Sequence, residues 1–366
     1  MKKIQFLKPR LISTDIKEAV AILKSGWLAH GGVTRKFEET LSKYLGVKNA
    51  VLNSSCTAGM HVSLLAAGVG PGDEVITTPL SYVATSNAIL YTGAKPVFVD
   101  VEPDTGLLDI DKIEKAITKR TKAILPVHLY GQMVDIKKLK KIVDKHDLII
   151  IEDAAHAIEA SRDGVRPGQK SFAASFSFHV AKNITSGEGG AVATNNKNTG
   201  EQIKLLCRDG LVRDGSKRIM ATFGFRYATT DFQAALLLSQ LARVEKQHQQ
   251  RGKIWHYYAK KFENTKGISF PKLVSNSKHA HHMFIIWVNP KKRDKIRKKI
   301  EDAGIETSIH YNPIHLEPYY RKRFGYKSGD FPVAEKLGFS AITLPLYPAL
   351  TQKEQDYIID VVKKLV

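Results

Sequence analysis

The chain has 366 residues, 43% of them hydrophobic, with two cysteines and a formal net charge of +20. That length can bury one large domain of about 250 residues with a smaller one beside it, and no apolar run reaches the roughly 18 residues of a membrane span. The excess charge is spread as lysines beside acids at helical spacing, without zinc-finger spacing, a basic arm or an aromatic ladder, which argues against nucleic-acid binding.

Solvated lysine-rich faces, as over 112–119, 137–145 and 291–299, account for most of the charge; the rest suits an anionic ligand such as a nucleotide-linked molecule. The start, MKKIQFLKPRLISTD, meets Lys8, Pro9 and Arg10 before an apolar segment can form, so no signal peptide is expected. Cys56 and Cys207 make no ligand cluster, which points to a reduced, cytoplasmic protein without structural zinc.

Apolar positions at helical spacing predict helices over 14–25, stopped by Gly26, and over 35–45. The loop between them, WLAHGG, offers Trp27 and His30 as residues that could line a site. From Asn49 onward, short apolar runs alternate with amphipathic patterns. Strands are predicted over 50–53, 74–78, 95–99, 123–127, 148–151, 172–178 and 191–194, with helices over 58–67, from Tyr82 to about 90, over 111–117, 135–145 and 199–207. This alternation predicts an α/β protein with a mostly parallel sheet covered on both faces, whose active groups collect past the carboxyl ends of the strands.

Four stretches fall at that edge. Ser54, Ser55, Cys56 and Thr57 put hydroxyls and free N–H groups at a helix start, either as an ordinary N-cap or as a phosphate seat. Tyr82, at a strand-to-helix junction, is either a core aromatic or a cover for a planar ligand. Asp153 ends a strand, where a carboxylate is costly unless paired. It either caps a following helix or holds a proton on a heterocyclic nitrogen, with His156 on the same face. In FSFHVAKNITSGEGG (176–190), Ser177 and Lys182 lie between an apolar strand and a glycine cluster, making Lys182 a candidate for covalent chemistry.

Farther on, 208–225 reads as a polar loop, mobile or intersubunit, and 230–249 as one long helix capped by Thr230 and Asp231. A second, small α+β domain begins near Gly252, with helices over 255–262, 290–303 and 356–365 and strands over 283–288 and 305–309. His279, His281 and His282 have no acidic or cysteine co-ligand at suitable spacing, so no metal site is expected. Aromatics and imidazoles, including His310, Tyr311 and His315, crowd 310–320.

Eight blocks, in this order, carry a resemblance: NSSCTAGMH (53–61), GDEVITTPLSYVAT (72–85), GAKPVFVD (93–100), TKAILPVHLYGQ (121–132), IEDAAHA (151–157), FSFHVAKNITSGEGG (176–190), HYNPIHLEPYY (310–320) and LPLYP (344–348). Almost end to end, the chain resembles the DegT/DnrJ/EryC1/StrS family of sugar aminotransferases. The resemblance implies the pyridoxal 5'-phosphate-dependent transferase fold of the aspartate aminotransferase type. A large cofactor-binding domain would span 1–250 and a small one 251–366, with the amino-terminal segment able to pack on the latter.

By the same resemblance, Lys182 is the lysine that binds the cofactor covalently, Asp153 pairs with the pyridine nitrogen, and Tyr82 stacks on the ring. Thr57, the backbone at Ala58, and Ser177 match the phosphate contacts, and His156 sits near the ring. The family also implies a homodimer with shared active sites, L-glutamate as amino donor, and a nucleotide-linked deoxy-keto-hexose as acceptor. The 53–61 and 176–190 blocks look most like the branch that aminates C4; amination at C3 is the alternative. Trp27, His310, Tyr311 and His315 are the substrate-binding candidates.

Two departures stand out. In GFRYATTD, Arg226 replaces an asparagine that in the family reaches the partner's cofactor phosphate, and Ala228 replaces an arginine. A charged contact from Arg226 to that phosphate is one expectation; turning away or meeting substrate phosphates is the other. Cys56 and Ala29 stand where the family more often has Gly and Thr. Lys182 argues against the sugar-deoxygenating relatives, which carry histidine there. Retention of Lys182 and Asp153 weighs against a non-catalytic, cofactor-binding regulatory protein.

Overall fold

The computed structural model describes residues 3–366; Met1 and Lys2, part of the basic start, lie outside them. The strands, in chain order, are β1 (Asn49–Asn53), β2 (Glu74–Thr77), β3 (Lys95–Phe98), β4 (Thr121–Ile124), β5 (Ile149–Asp153), β6 (Ser161–Arg162), β7 (Ala173–Ser177), β8 (Gly190–Thr194), β9 (Leu211–Asp214), β10 (Lys217–Met220), β11 (Ser277–Lys278), β12 (Phe284–Trp287) and β13 (Ala341–Leu344). Seven of them form one sheet in the order β1-β8-β7-β5-β4-β2-β3. Only β8 runs antiparallel to its neighbours, so the sheet is mixed and mostly parallel, as the alternating pattern predicts. Strands such as β2 and β8 are buried along their whole length, which is why they read as continuous apolar runs.

The helices are α1 (Ser13–Ser25), α2 (Gly32–Leu45), α3 (Cys56–Ala66), α4 (Ala84–Tyr91), α5 (Ile136–His146), α6 (Lys197–Leu206), α7 (Asp231–Ala242), α8 (Val244–Phe262), α9 (Arg293–Asp302), α10 (Pro318–Phe324), α11 (Pro332–Ser340) and α12 (Gln352–Leu365). Each long helix buries one stripe: Phe37, Leu41 and Leu45 on α2, and Ile136, Leu139 and Val143 on α5. Thr230 caps α7, accepting from the Gln233 N–H at 3.2 Å. Asp231 serves another helix instead. Its carboxylate accepts from the N–H groups of Gly31, Val33 and Thr34, tying α7 to the start of α2.

Several elements depart from the sequence expectations. The long helix over 230–249 is two helices, because Arg243 leaves helical geometry (φ −114°, ψ 10°) where its guanidinium binds both oxygens of the buried Asp15 on α1. The loop over 208–225 contains the exposed hairpin β9–β10, and 111–117 forms two 3₁₀ turns rather than an α-helix. The strand expected over 305–309 reduces to single bridges, Ile305 with Ile4 and Ser308 with Thr343.

A second core lies around β12 and β13, under α8, α9 and α12. Trp255, Tyr258, Phe262, Phe284, Ile286 and Ile358 belong to it, as does Ile4. The 250/251 position lies inside α8, which runs on without interruption. Among the described residues, no helix is long and apolar enough to cross a membrane.

Candidate active site

Strand register sets the site. Asn53 at the end of β1 and Ser177 at the end of β7 both pair with Gly190 at the start of β8, and Asp153 at the end of β5 pairs with Ser175. The carboxyl ends of β1, β5 and β7 therefore meet at one edge, over a cavity of about 400 Å³. That is ample for a small planar ligand.

One wall is the β1–α3 turn. Ser55 caps α3, its Oγ accepting from the Ala58 N–H at 3.1 Å, and Ser55, Cys56 and Thr57 line the cavity. The helix N-terminus thus offers oriented N–H groups and hydroxyls to an anion. Gly190 is required here: a Cβ on it would lie 2.3 Å from Ser55 C and 2.5 Å from Cys56 N.

The floor holds Asp153. Side chains alternate along β5, so Glu152 points to the opposite face, where it accepts from the Gly168 N–H at 2.8 Å and meets His128 Nε2 at 2.6 Å. Asp153 Oδ2 accepts from Thr85 Oγ1 at 2.7 Å, and Oδ1 from the Ala155 N–H at 3.1 Å and the Cys56 thiol at 3.8 Å. Ser81 Oγ meets Thr85 Oγ1 at 2.8 Å, extending the network. No helix starts at Asp153, so the capping alternative falls away.

Lys182 lies on a pinned loop. Its N–H donates to His179 O at 2.9 Å, Phe178 N–H to Gly189 O at 2.8 Å, and Thr185 N–H to Gln240 Oε1 at 3.1 Å. Burial pushes the Lys182 amine down to about 8, with Cys56 and Asp153 pulling the other way. Burial likewise pushes the Cys56 thiol well up, so it is a proton donor here and not a thiolate.

The remaining wall is aromatic and imidazole. His156 Nε2 meets Tyr311 Oη at 3.1 Å, while its Nδ1 is buried without a partner. Burial, then the neighbouring Lys182, His282 and His310, hold His156 well below its ordinary value. His310 is pushed down to about 3 by burial and by Lys182, and its Nδ1 meets Thr343 Oγ1 at 2.8 Å. Tyr82, 61% exposed, covers the mouth with its ring centroid 6.0 Å from that of Tyr311.

The structure therefore gathers Thr57, Tyr82, Asp153, His156, Ser177, Lys182, His310 and Tyr311 at one cavity. Other candidates lie elsewhere. His315 is fully buried and bound to Glu335 Oε1 at 3.0 Å, packed against Phe331 outside the cavity, so its place is structural. Trp27 is exposed and does not line the cavity, and the Ala58 N–H is taken by Ser55. Arg226 has an 85% exposed side chain paired with Asp209 at 2.8 Å, away from its own chain's cavity. Sequence reasoning missed Thr85, the anchor of Asp153; its spacing of four from Ser81 at a helix start was the available signal.

Comparison with known proteins accords with this geometry. Residues 9–363 match the model of the DegT/DnrJ/EryC1/StrS aminotransferase family. The spore coat polysaccharide biosynthesis protein SpsC of Bacillus subtilis is 36% identical over 372 residues, 98% of this chain and 96% of that protein. Spr1654 from Streptococcus pneumoniae, solved in its PLP-form, superposes with a TM-score of 0.94 at 31% identity, over 99% of this chain and 98% of that one. PseC of Helicobacter pylori, an aminotransferase involved in the biosynthesis of pseudoaminic acid, gives 0.94 at 30% identity, over 100% and 99%.

The residues present fit pyridoxal phosphate. A helix N-terminus suits its phosphate, an anchored carboxylate its ring nitrogen, an amine whose proton burial loosens its aldehyde, and the unpartnered His156 Nδ1 a polar ring substituent. With the family model matched over nearly its whole length, and relatives of the same length and fold at 30% identity or more, the chain belongs to the DegT/DnrJ/EryC1/StrS aminotransferase family.

Proposed function

We propose that this chain transfers an amino group from L-glutamate to the C4 keto group of a nucleotide-linked deoxy-keto-hexose, with C3 as the alternative acceptor carbon. The observation that carries the reading is one cavity that combines an amine depressed to about 8 with a carboxylate anchored by three donors. The sugar class is supported by family membership and by the roles of SpsC and PseC in making polysaccharide and pseudoaminic acid. The net charge of +20 suits a nucleotide-linked substrate. The working unit in this reading is a cytoplasmic homodimer, in which Arg226 of one subunit faces the cofactor phosphate of the other.

Bound in the cavity, pyridoxal phosphate supplies an aldehyde that carries nitrogen between donor and acceptor and a ring that takes up electron density. Ser55, Cys56 and Thr57 hold the phosphate through the start of α3, and Ser177 adds a hydroxyl. Asp153, oriented by Thr85 and the Ala155 N–H, holds a proton on the ring nitrogen. Lys182 Nζ, uncharged in a useful fraction near pH 8, takes the proton from Cα of glutamate and delivers one to the sugar carbon. Tyr82 fixes the plane of the ring relative to that amine. His156 and Tyr311, bonded to each other, close the wall and exclude water.

The test is a half-reaction screen. Protein carrying the amino form of the cofactor is mixed with UDP-, GDP- and dTDP-linked 4-keto and 3-keto sugars, and return of the original absorbance is followed. Response to a 4-keto sugar alone is the expected result. Response only to 3-keto sugars moves the reaction to C3. A spectrum that no amino donor and no keto sugar changes would leave a cofactor-binding regulatory protein and overturn the transfer reading.

A further inference from the structure

Directly behind Lys182, the half-buried Asn183 and the buried Glu159, Arg251 and His282 form a chain of contacts that the reaction described above does not use. Asn183 Nδ2 donates to Glu159 Oε2 at 2.8 Å and to Ala280 O at 3.2 Å, while Asn183 Oδ1 meets His282 Nδ1 at 3.0 Å. Glu159 is fully buried, and its other oxygen accepts from Arg251 of α8 at 2.5 Å. The ring of His282 lies against that of His156, centroids 4.5 Å apart at 36°.

We propose that His282 is a positioning residue of the transfer reaction: through Asn183 it fixes the loop that presents Lys182, and through its ring it fixes His156. The proposal rests on the reading of Lys182 as the cofactor lysine.

The hydrogen-bond inventory assigns the protons. Carboxylate Glu159 and carbonyl Ala280 can only accept, so the Asn183 amide turns its NH₂ toward them and its oxygen toward His282. His282 must then donate from Nδ1, which leaves Nε2 bare; that atom is buried and has no partner. A neutral His282 also fits its surroundings. The groups facing it are Lys182, His310, Arg251 and His279, and His156 stacks on it, so a second proton would add charge beside cations and imidazoles. The groups facing Lys182 are Asp153, Cys56, His156, His282 and His310. One imidazole thus couples the backbone next to Lys182 to the ring wall of the cavity, and the Glu159–Arg251 pair anchors the whole chain of contacts to α8.

The experiment compares wild type, His282→Phe and His282→Asn as holoenzymes. Phenylalanine keeps a stacking ring but leaves Asn183 Oδ1 without its donor; asparagine supplies an N–H close to the Nδ1 position. The readouts are the pH midpoint of the bound cofactor's visible absorbance band, and kcat and KM for the glutamate half-reaction. Expected for His282→Phe is a midpoint moved by about half a unit or more and kcat down by about 10-fold at little-changed KM, since small misplacements of a reacting group cost that much. His282→Asn, which keeps the donor to Asn183 but loses the ring against His156, recovers both in part. Asn183→Ala, which breaks the same contact from the other side, replaces His282→Phe should that variant fail to fold. An unmoved midpoint and kcat in the contact-breaking variant, or equal impairment in His282→Asn, overturns the proposal. A wild-type protein with no pH-titrating cofactor band overturns the Lys182 reading, and this inference with it.

Discussion

Gly190→Ala tests whether the β1–α3 turn is the phosphate seat. Gly190 pairs with both Asn53 and Ser177, so it sits where three strands and the turn converge. An added Cβ would lie 2.3 Å from Ser55 C, 2.5 Å from Cys56 N and 2.7 Å from Asn53 Oδ1. Two of these are backbone atoms, so no rotamer change relieves the clash; the turn must retreat by about 1 Å to reach ordinary contact distance. A displacement of that size in a set of aimed donors costs on the order of 100-fold in binding. The overpacking itself costs about 1–3 kcal/mol of stability. The assay is a fluorescence titration of apo-protein with pyridoxal phosphate, with Gly32→Ala as control, because a Cβ there meets nothing within 4 Å. The expected result is a Kd raised about 100-fold in Gly190→Ala and a wild-type value in the control. Wild-type affinity in Gly190→Ala, with thermal unfolding showing that the protein is folded, would refute the placement of the phosphate at this turn.

Three further outcomes are expected. Because burial holds the Lys182 amine at about 8 rather than 10.5, the unfolded chain binds a proton between those values that the folded apo-protein does not. Apo-protein stability relative to Lys182→Met should therefore rise with pH across that window, measured by urea midpoints; a flat difference contradicts the depressed amine. Thr85→Val keeps the side-chain shape but removes the donor to Asp153 Oδ2, so stability should fall by about 1.5–3 kcal/mol and cofactor binding weaken, by denaturation and titration. His315→Ala breaks a buried contact to Glu335 and should lower Tm while leaving KM for both substrates unchanged; a raised sugar KM would return His315 to the site.

The central sheet was legible because its strands are covered on both faces, so Val75, Ile76, Ala123 and Ile124 give unbroken apolar runs. The hairpin β9–β10 carried no such signal. Its residues are exposed apart from the half-buried Val212, and such a ribbon has too little burial to impose alternation. The break at Arg243 was invisible for a different reason: no Gly or Pro marks it, and its cause is a contact with Asp15, 228 residues away in sequence. Helices α10 and α11 both begin with proline; at Pro318 the aromatic crowding over 310–320 obscured that start signal. At the site, strand-end chemistry pointed to Asp153 and Lys182. The partners that tune them, Thr85, Asn183 and Glu159, are ordinary polar residues until the fold brings them together.

Helix α8 also constrains how this chain can be divided. Its second turn carries Arg251, the counter-charge of Glu159 in the large core, and the next turns carry Trp255, Tyr258 and Phe262 into the small one. A fragment ending at residue 250 would keep the Glu159 carboxylate buried and remove the only cation bound to it among the described residues. A fragment starting at 251 would carry that arginine into water and lose the first turns of the helix on which its aromatic core is mounted. Any nick, permutation or domain exchange must therefore be placed outside α8, in a surface turn such as the tip of the exposed β9–β10 hairpin at Gly215, where the chain can be opened without stranding a charge.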